Sequence, residues 1–191
     1  MTTPFIASPS SSSPLDGLWL DEPTPAEIGQ LATLLMDAVD GGASVGFMSP
    51  LGVDRATAYW RGVAEGMRAG HRRLRVVHDG TQIVGTVQLQ VDLPDNQTHR
   101  ADLCKLLVHR SARRRGLGEA LVRAAEAESL RLGRTVLVLD TVADSEADRL
   151  YRRLGWHPAG DVPRYARMPD GAWCTTRYFY RDLAAATPSP T

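Results

Sequence analysis

The densest chemistry in the sequence is the run Arg113-Arg114-Arg115-Gly116-Leu117-Gly118. It sits between an apolar stretch at 101–108 and a long helix-forming stretch at 117–132. Glycine lets the main chain approach a ligand closely. The first turn of a helix offers N–H groups with no partner of their own, and the helix dipole adds about half a positive charge there. Three arginines, with Arg110 nearby, add formal charge and forked donors suited to phosphate. Together these features make a site for a diphosphate. A dinucleotide fingerprint needs a third glycine where Leu121 stands, and a Walker loop needs Gly-Lys-Ser/Thr, which is absent. A bare arginine run usually reads as solvated surface; its place at a strand-to-helix turn with G-x-G reverses that reading.

The surrounding residues carry a family resemblance. Leu106-Leu107-Val108, a short gap, Arg113-x-x-Gly116-x-Gly118 and a long helix resemble the acetyl-CoA motif of the GCN5-related N-acetyltransferases, Q/R-x-x-G-x-G/A. Leu137-Val138-Leu139-Asp140-Thr141, Ala147 and Leu150-Tyr151-x-x-Leu154-Gly155-Trp156 resemble the family's second signature. Pro163-x-Tyr165-Ala166, Pro169-Asp170-Gly171, Thr176 and Phe179-Tyr180 are similar to one branch, the tabtoxin-resistance-like acetyltransferases. The resemblance spans about 72–183. It implies an α/β fold with a mixed, mostly antiparallel sheet of six or seven strands. Helices cover both faces, and the central strands splay to admit acetyl-CoA. It implies that Arg113, Arg114, Arg115, Gly116, Leu117 and Gly118, with Glu119 next on the helix, hold the pyrophosphate. The main chain of Leu106, Leu107 and Val108 would pair with the pantetheine arm as an added strand. Tyr151 matches the family's general acid. Asp144 stands where many members have Asn.

Acetyl transfer needs a neutral amine, donors for a developing oxyanion, and a proton for the leaving thiolate. An amine near pKa ~10 is mostly protonated at neutral pH, so a base or a water chain must act. Asp140, at the end of an apolar strand, and Asp102, in the opening turn of the central strand, are the candidate bases. A cap or loop acid and a strand-edge charge are their plainer readings. His109 is a rival that lies towards the pyrophosphate. A main-chain N–H near Leu107 or Val108 would meet the oxyanion. Tyr59, Trp60, Gln90, Asp92, Tyr165, Asp170 and Trp173 are candidate acceptor contacts. The reading is direct transfer to a primary amine of a small amino-acid-like molecule or antimetabolite. The alternatives are a protein N-terminal or lysine acetyltransferase and a non-catalytic CoA-binding regulator.

The elements that must position these groups are legible in outline. Thr24-Pro25-Ala26-Glu27 opens a first helix with a capping box, and Gly41-Gly42 ends it. A second helix is expected over 54–69. Strands at 73–78 and 82–91 are joined by Asp79-Gly80, a hairpin signal. Then come the central strand at 101–108, the helix at 117–132 with Leu117, Leu121, Ala124, Ala125 and Leu130 inward, and a strand at 135–139. A short helix at 146–154 follows, capped by Asp144 or Ser145. Strands at 156–161 and 175–181 end the domain, and the stretches 94–100 and 161–173 read as loops that could roof the cleft.

Composition bounds the rest. A chain of 191 residues fits one domain, taken as 15–184, with Ser/Pro-rich tails at 1–14 and 185–191. The 22 basic and 22 acidic residues cancel, which speaks against a nucleic-acid or membrane-surface partner. Lys105 is the one lysine; the other 21 basic residues are Arg. Cys104 and Cys174 lack metal-ligand spacing and read as buried apolar residues, so no metal is expected. No membrane-length apolar run and no secretory leader are seen, which reads as cytoplasmic. A monomer or homodimer is expected.

Overall fold

The first helix, α1 (Pro25–Asp40), begins as its sequence dictates. The Thr24 hydroxyl accepts from the Glu27 N–H at 3.2 Å, and the Glu27 carboxylate accepts from the Thr24 N–H at 2.7 Å. Leu31, Leu34, Leu35 and Ala38 form its buried stripe. A second helix, α2 (Val53–Arg68), buries Ala56, Trp60, Val63 and Met67. The computed structural model describes residues 17–184; the tails at 1–14 and 185–191 lie outside the described residues.

Seven strands make one sheet: β1 (Gly17–Leu20), β2 (Arg72–Asp79), β3 (Gln82–Gln90), β4 (Arg100–Val108), β5 (Val136–Val142), β6 (His157–Arg167) and β7 (Trp173–Asp182). Their order is β1-β2-β3-β4-β5-β7-β6. The β4–β5 pair alone is parallel, and it is bridged by helix α3 (Leu117–Arg131). A parallel pair needs such a crossover. A short helix, α4 (Glu146–Arg153), links β5 to β6, with Ser145 rather than Asp144 as its cap. Two apolar clusters form. One gathers α1 and α2 over Leu74, Val76 and Ile83; the other gathers α3 and α4 over Val77, Val84 and Leu137. Neighbours Val76 and Val77 enter different clusters, as alternation across a strand requires.

Four expectations change. β1 is a strand that periodicity misses, because four residues beside a Ser/Pro tail show no pattern until they pair with β2. Leu130 is 47% exposed, and Ser129 is buried in its place. The stretch 161–173 is mostly strand: β6 runs to Arg167 and hairpins with β7, so only a tight turn separates them. Its residues are exposed nearly throughout, so no apolar alternation betrayed it. Trp60 is fully buried in the core and is no acceptor contact.

Losing the α1 cap strands a helix N–H. Thr24→Ala should cost about 1 kcal/mol, read as a lower urea midpoint with unchanged slope.

Candidate active site

The site begins where the sheet stops being a sheet. β4 and β5 pair only at Arg100↔Val136, Ala101↔Leu137 and Asp102↔Val138, and then part. The cause is visible in β4. Gln88 pairs with Cys104 and Thr86 with Leu107, so two residues, Lys105 and Leu106, bulge between them. Lys105 adopts a left-handed φ of 51°. A bulge bends its strand and increases its twist. Between the parted strands lies a cavity of about 990 Å³, at the upper end of common ligand pockets.

One end of this cavity is the basic loop. Gly116, at φ 80°, starts α3 with no side chain capping its N–H groups. Arg114 is left-handed as well, at φ 64°. Strained main chain of this kind collects at ligand clamps. Gly118 passes close to α4: a Cβ there would stand 3.2 Å from Leu150 Cδ2. Arg113, Arg114, Gly116, Leu117, Gly118 and Glu119 line the cavity. Arg113 donates from Nε to the Val108 carbonyl at 3.3 Å. Arg115 turns aside and pairs with Asp79 at 2.7 Å, away from the lining. The walls are apolar where a pantetheine arm would lie, with Leu106, Leu107 and Val108 along β4. An uncapped helix end, two cationic side chains and an unpaired strand edge fit acetyl-CoA.

The other part of the cavity holds titratable groups. Tyr151 is buried and packs on Trp156 and Phe179, with ring centroids at 5.6 and 5.9 Å. Tyr151 lines the cavity, and its hydroxyl makes no hydrogen bond among the described residues, so it is not spent on a main-chain carbonyl. Burial first, then the Asp140 charge, pushes its pKa well above the ordinary value and keeps it protonated. Asp140 sits across from Tyr178 on β7 and also lines the cavity. Burial raises its carboxyl pKa; the Lys105 ammonium opposes that shift. Cys104 is half-buried against the cavity rather than packed away, and burial pushes its thiol up.

Other candidates are not brought in. Asp102 accepts a very short hydrogen bond from Arg100 and does not line the cavity. His109 Nδ1 faces the Ser111 hydroxyl at 2.8 Å, and Nε2 lies 3.4 Å from Asp37. Asp92 stands 3.6 Å from His71. Asp144 is left-handed at φ 62° and its carboxylate accepts from Arg177 at 3.1 Å, so its charge is turned from the cofactor side. Tyr59 is half-buried and shares hydrogen bonds with Gln88, whose amide donates to it at 3.2 Å. Lys105 was missed. A lone lysine inside an apolar strand, Leu103-Cys104-Lys105-Leu106, was the signal.

Residues 48–156 match the Acetyltransferase (GNAT) family, more than half of the chain. The chain belongs to that family. It is an N-acetyltransferase, and the family's acetyl donor is acetyl-CoA. Similar folds include a ribosomal-protein-alanine N-acetyltransferase from Brucella melitensis, at 20% identity and TM-score 0.73, over 87% of this chain and 99% of that one. A GCN5-related N-acetyltransferase from Kribbella flavida is 21% identical at TM-score 0.72, over 90% and 100%. An acetyltransferase-like protein from Salmonella typhimurium, solved with its cofactor acetyl-CoA, is 18% identical at TM-score 0.71, over 92% and 99%. At these identities the likeness is one of fold. Among the described residues no helix is long and apolar enough to cross a membrane.

The left-handed start of α3 generates a prediction. Gly116→Val strains the loop by about 1–2 kcal/mol or forces it to relax and lose its N–H cradle. CoA affinity by calorimetry should fall by roughly tenfold or more.

Proposed function

We propose that this N-acetyltransferase acts on the primary amine of a small, amino-acid-like molecule or antimetabolite, by direct transfer. The carrying observation is a strap over the acceptor side of the cavity. The α1–α2 loop reaches the β6–β7 turn: Ser44 donates to the Arg167 carbonyl at 3.3 Å, and the Ser49 N–H donates to the Pro169 carbonyl at 3.1 Å. Gly42, Ala43, Ser44, Val45 and Met168 therefore line the cavity along this tie. A pocket crossed by such a tie suits a small molecule better than a peptide, which needs an open groove. The similarity of residues 163–180 to the tabtoxin-resistance-like branch supports the same acceptor class; the cytoplasm as compartment and a monomer or homodimer as the state complete the proposal.

Acetyl-CoA supplies the activated acetyl thioester. Asp140 takes a proton from the acceptor amine; its raised pKa makes it a stronger base than an ordinary aspartate. Tyr151, protonated throughout the working range, donates towards the departing sulfur. Main-chain N–H groups near Leu107 or Val108 steady charge on the acyl oxygen. Asp102, held by Arg100, acts on Asp140 through its charge and raises its pKa a little further.

A thiol-release assay over small amines, amino acids, antimetabolites and peptides tests this acceptor class. Turnover of peptides alone would overturn it. Tyr151→Phe should lower kcat about 10²-fold with CoA affinity unchanged, a typical general-acid loss. For Asp140 the pH sign is explicit. The base is active when ionised, so rate is lost as pH falls through its pKa. That pKa is raised, so the acid limb of the profile should lie above the ordinary aspartate value near 3.8. Asp140→Asn should remove that limb and lower kcat, whereas Asp102→Asn should change it little.

A further inference from the structure

The cavity holds one nucleophilic amine of the protein's own. Lys105 is the only lysine in the chain. The other cations lining the cavity, Arg113, Arg114, Arg149 and Arg153, are guanidinium groups, which stay protonated and are poor nucleophiles. Lys105 sits on the β4 bulge that opens the sheet, where it and Leu106 together stand against the single β3 residue Val87. Its Nζ lies 5.3 Å from the Tyr59 ring centroid and 3.9 Å from where a Cβ on Gly46 would stand, under the strap. It forms no hydrogen bond or ion pair among the described residues. Arg72, whose charge acts on Lys105, is itself bound to Gln88 at 3.2 Å.

We propose that Lys105 is a self-acetylation site, modified from acetyl-CoA when no acceptor amine occupies the cavity. This rests on the transfer reading above but not on any particular acceptor. The placement supports it. Lys105 and Asp140 lie on the two strand edges that face each other across the cavity, close enough for their charges to act on one another. Burial lowers the lysine pKa, so more of it is neutral at a given pH than for an exposed lysine. The neighbouring phenol of Tyr59, pushed up to about 12 by burial, stays neutral and gives no anion to hold the ammonium.

The balance is simple. The thioester C–S bond breaks and an amide C–N bond forms at Nζ. The proton displaced from nitrogen passes to Asp140 and then to water. The sulfur leaves as CoA thiol, protonated from Tyr151, which regains a proton from water. The product is a neutral, larger side chain under the strap. An amide is not reversed by the same chemistry, so an acceptor-starved enzyme would lose the Lys105 charge and some acceptor space together.

The test is mass spectrometry of the full chain incubated with acetyl-CoA and no amine. The expected result is a gain of about 42 Da, one acetyl group, on the peptide containing Lys105. Lys105→Arg keeps the charge and should lack that gain, and heat-unfolded chain should lack it too. A second readout needs no acetyl-CoA. Labelling of Lys105 by trinitrobenzenesulfonate should have a pH midpoint below the ordinary lysine value of ~10.4, and CoA should protect it. If small amines turn over while Lys105 stays unmodified, the proposal is overturned. Equal modification of folded and unfolded chain would overturn it as well, by making the reaction merely chemical. Modified Lys105 with no turnover of any small amine would uphold it and overturn the acceptor class instead.

Discussion

Everything in this enzyme depends on two parallel strands that stop pairing after three residues. Main-chain N–H and C=O groups are costly to leave without partners in a protein interior. β5 still has β7 along its whole length, and β4 still has β3, so each strand is held from its outer side. Only the inner edges part. The bulge at Lys105 and Leu106 causes the parting, and α3 and α4 hold it open from one face, with Gly118 against Leu150. A ligand that behaves as a strand along one edge completes the sheet, and acetyl-CoA has such an arm.

The same opening sorts the charges. The chain is neutral as a whole, with 22 basic and 22 acidic residues, yet the cavity is polarised along its length. Arg113, Arg114 and the uncapped start of α3 stand at one end. Asp140, Lys105, Cys104 and Tyr151 line another part of the same cavity, and burial shifts the pKa of each towards its neutral form. Low polarity is therefore the common cause of a stronger carboxylate base, a more nucleophilic lysine and a phenol that keeps its proton. Net charge could not reveal this, because it sums over the surface and the cavity alike.

Legibility followed the range of the interaction. The α1 capping box, the Asp79-Gly80 hairpin and the glycine start of α3 are local, and each was readable from neighbours in sequence. Leu130 and Ser129 exchanged places because which side of a final helical turn is covered depends on what packs there. The sequence shows only the first half of β6, 156–161, and its continuation to Arg167 reads as loop because an edge strand exposed on both faces has no apolar alternation to show. Among the site residues, Arg115 and Asp102 have the right type and spacing but are taken by Asp79 and Arg100. Such partners are chosen in space.

By itself the sequence determined that a basic, glycine-rich strand-to-helix turn exists, that a mixed α/β sheet surrounds it, and that a tyrosine and an acid follow at family spacing. Those follow from residue types a few positions apart. Only the tertiary structure decided which groups share one cavity. It brought Lys105 from the bulge opposite Asp140, tied the α1–α2 loop to the β6–β7 turn, and left Asp102 outside. The physical reason is that burial and charge coupling act between strands and loops far apart in the chain, where spacing along the sequence carries no record of them.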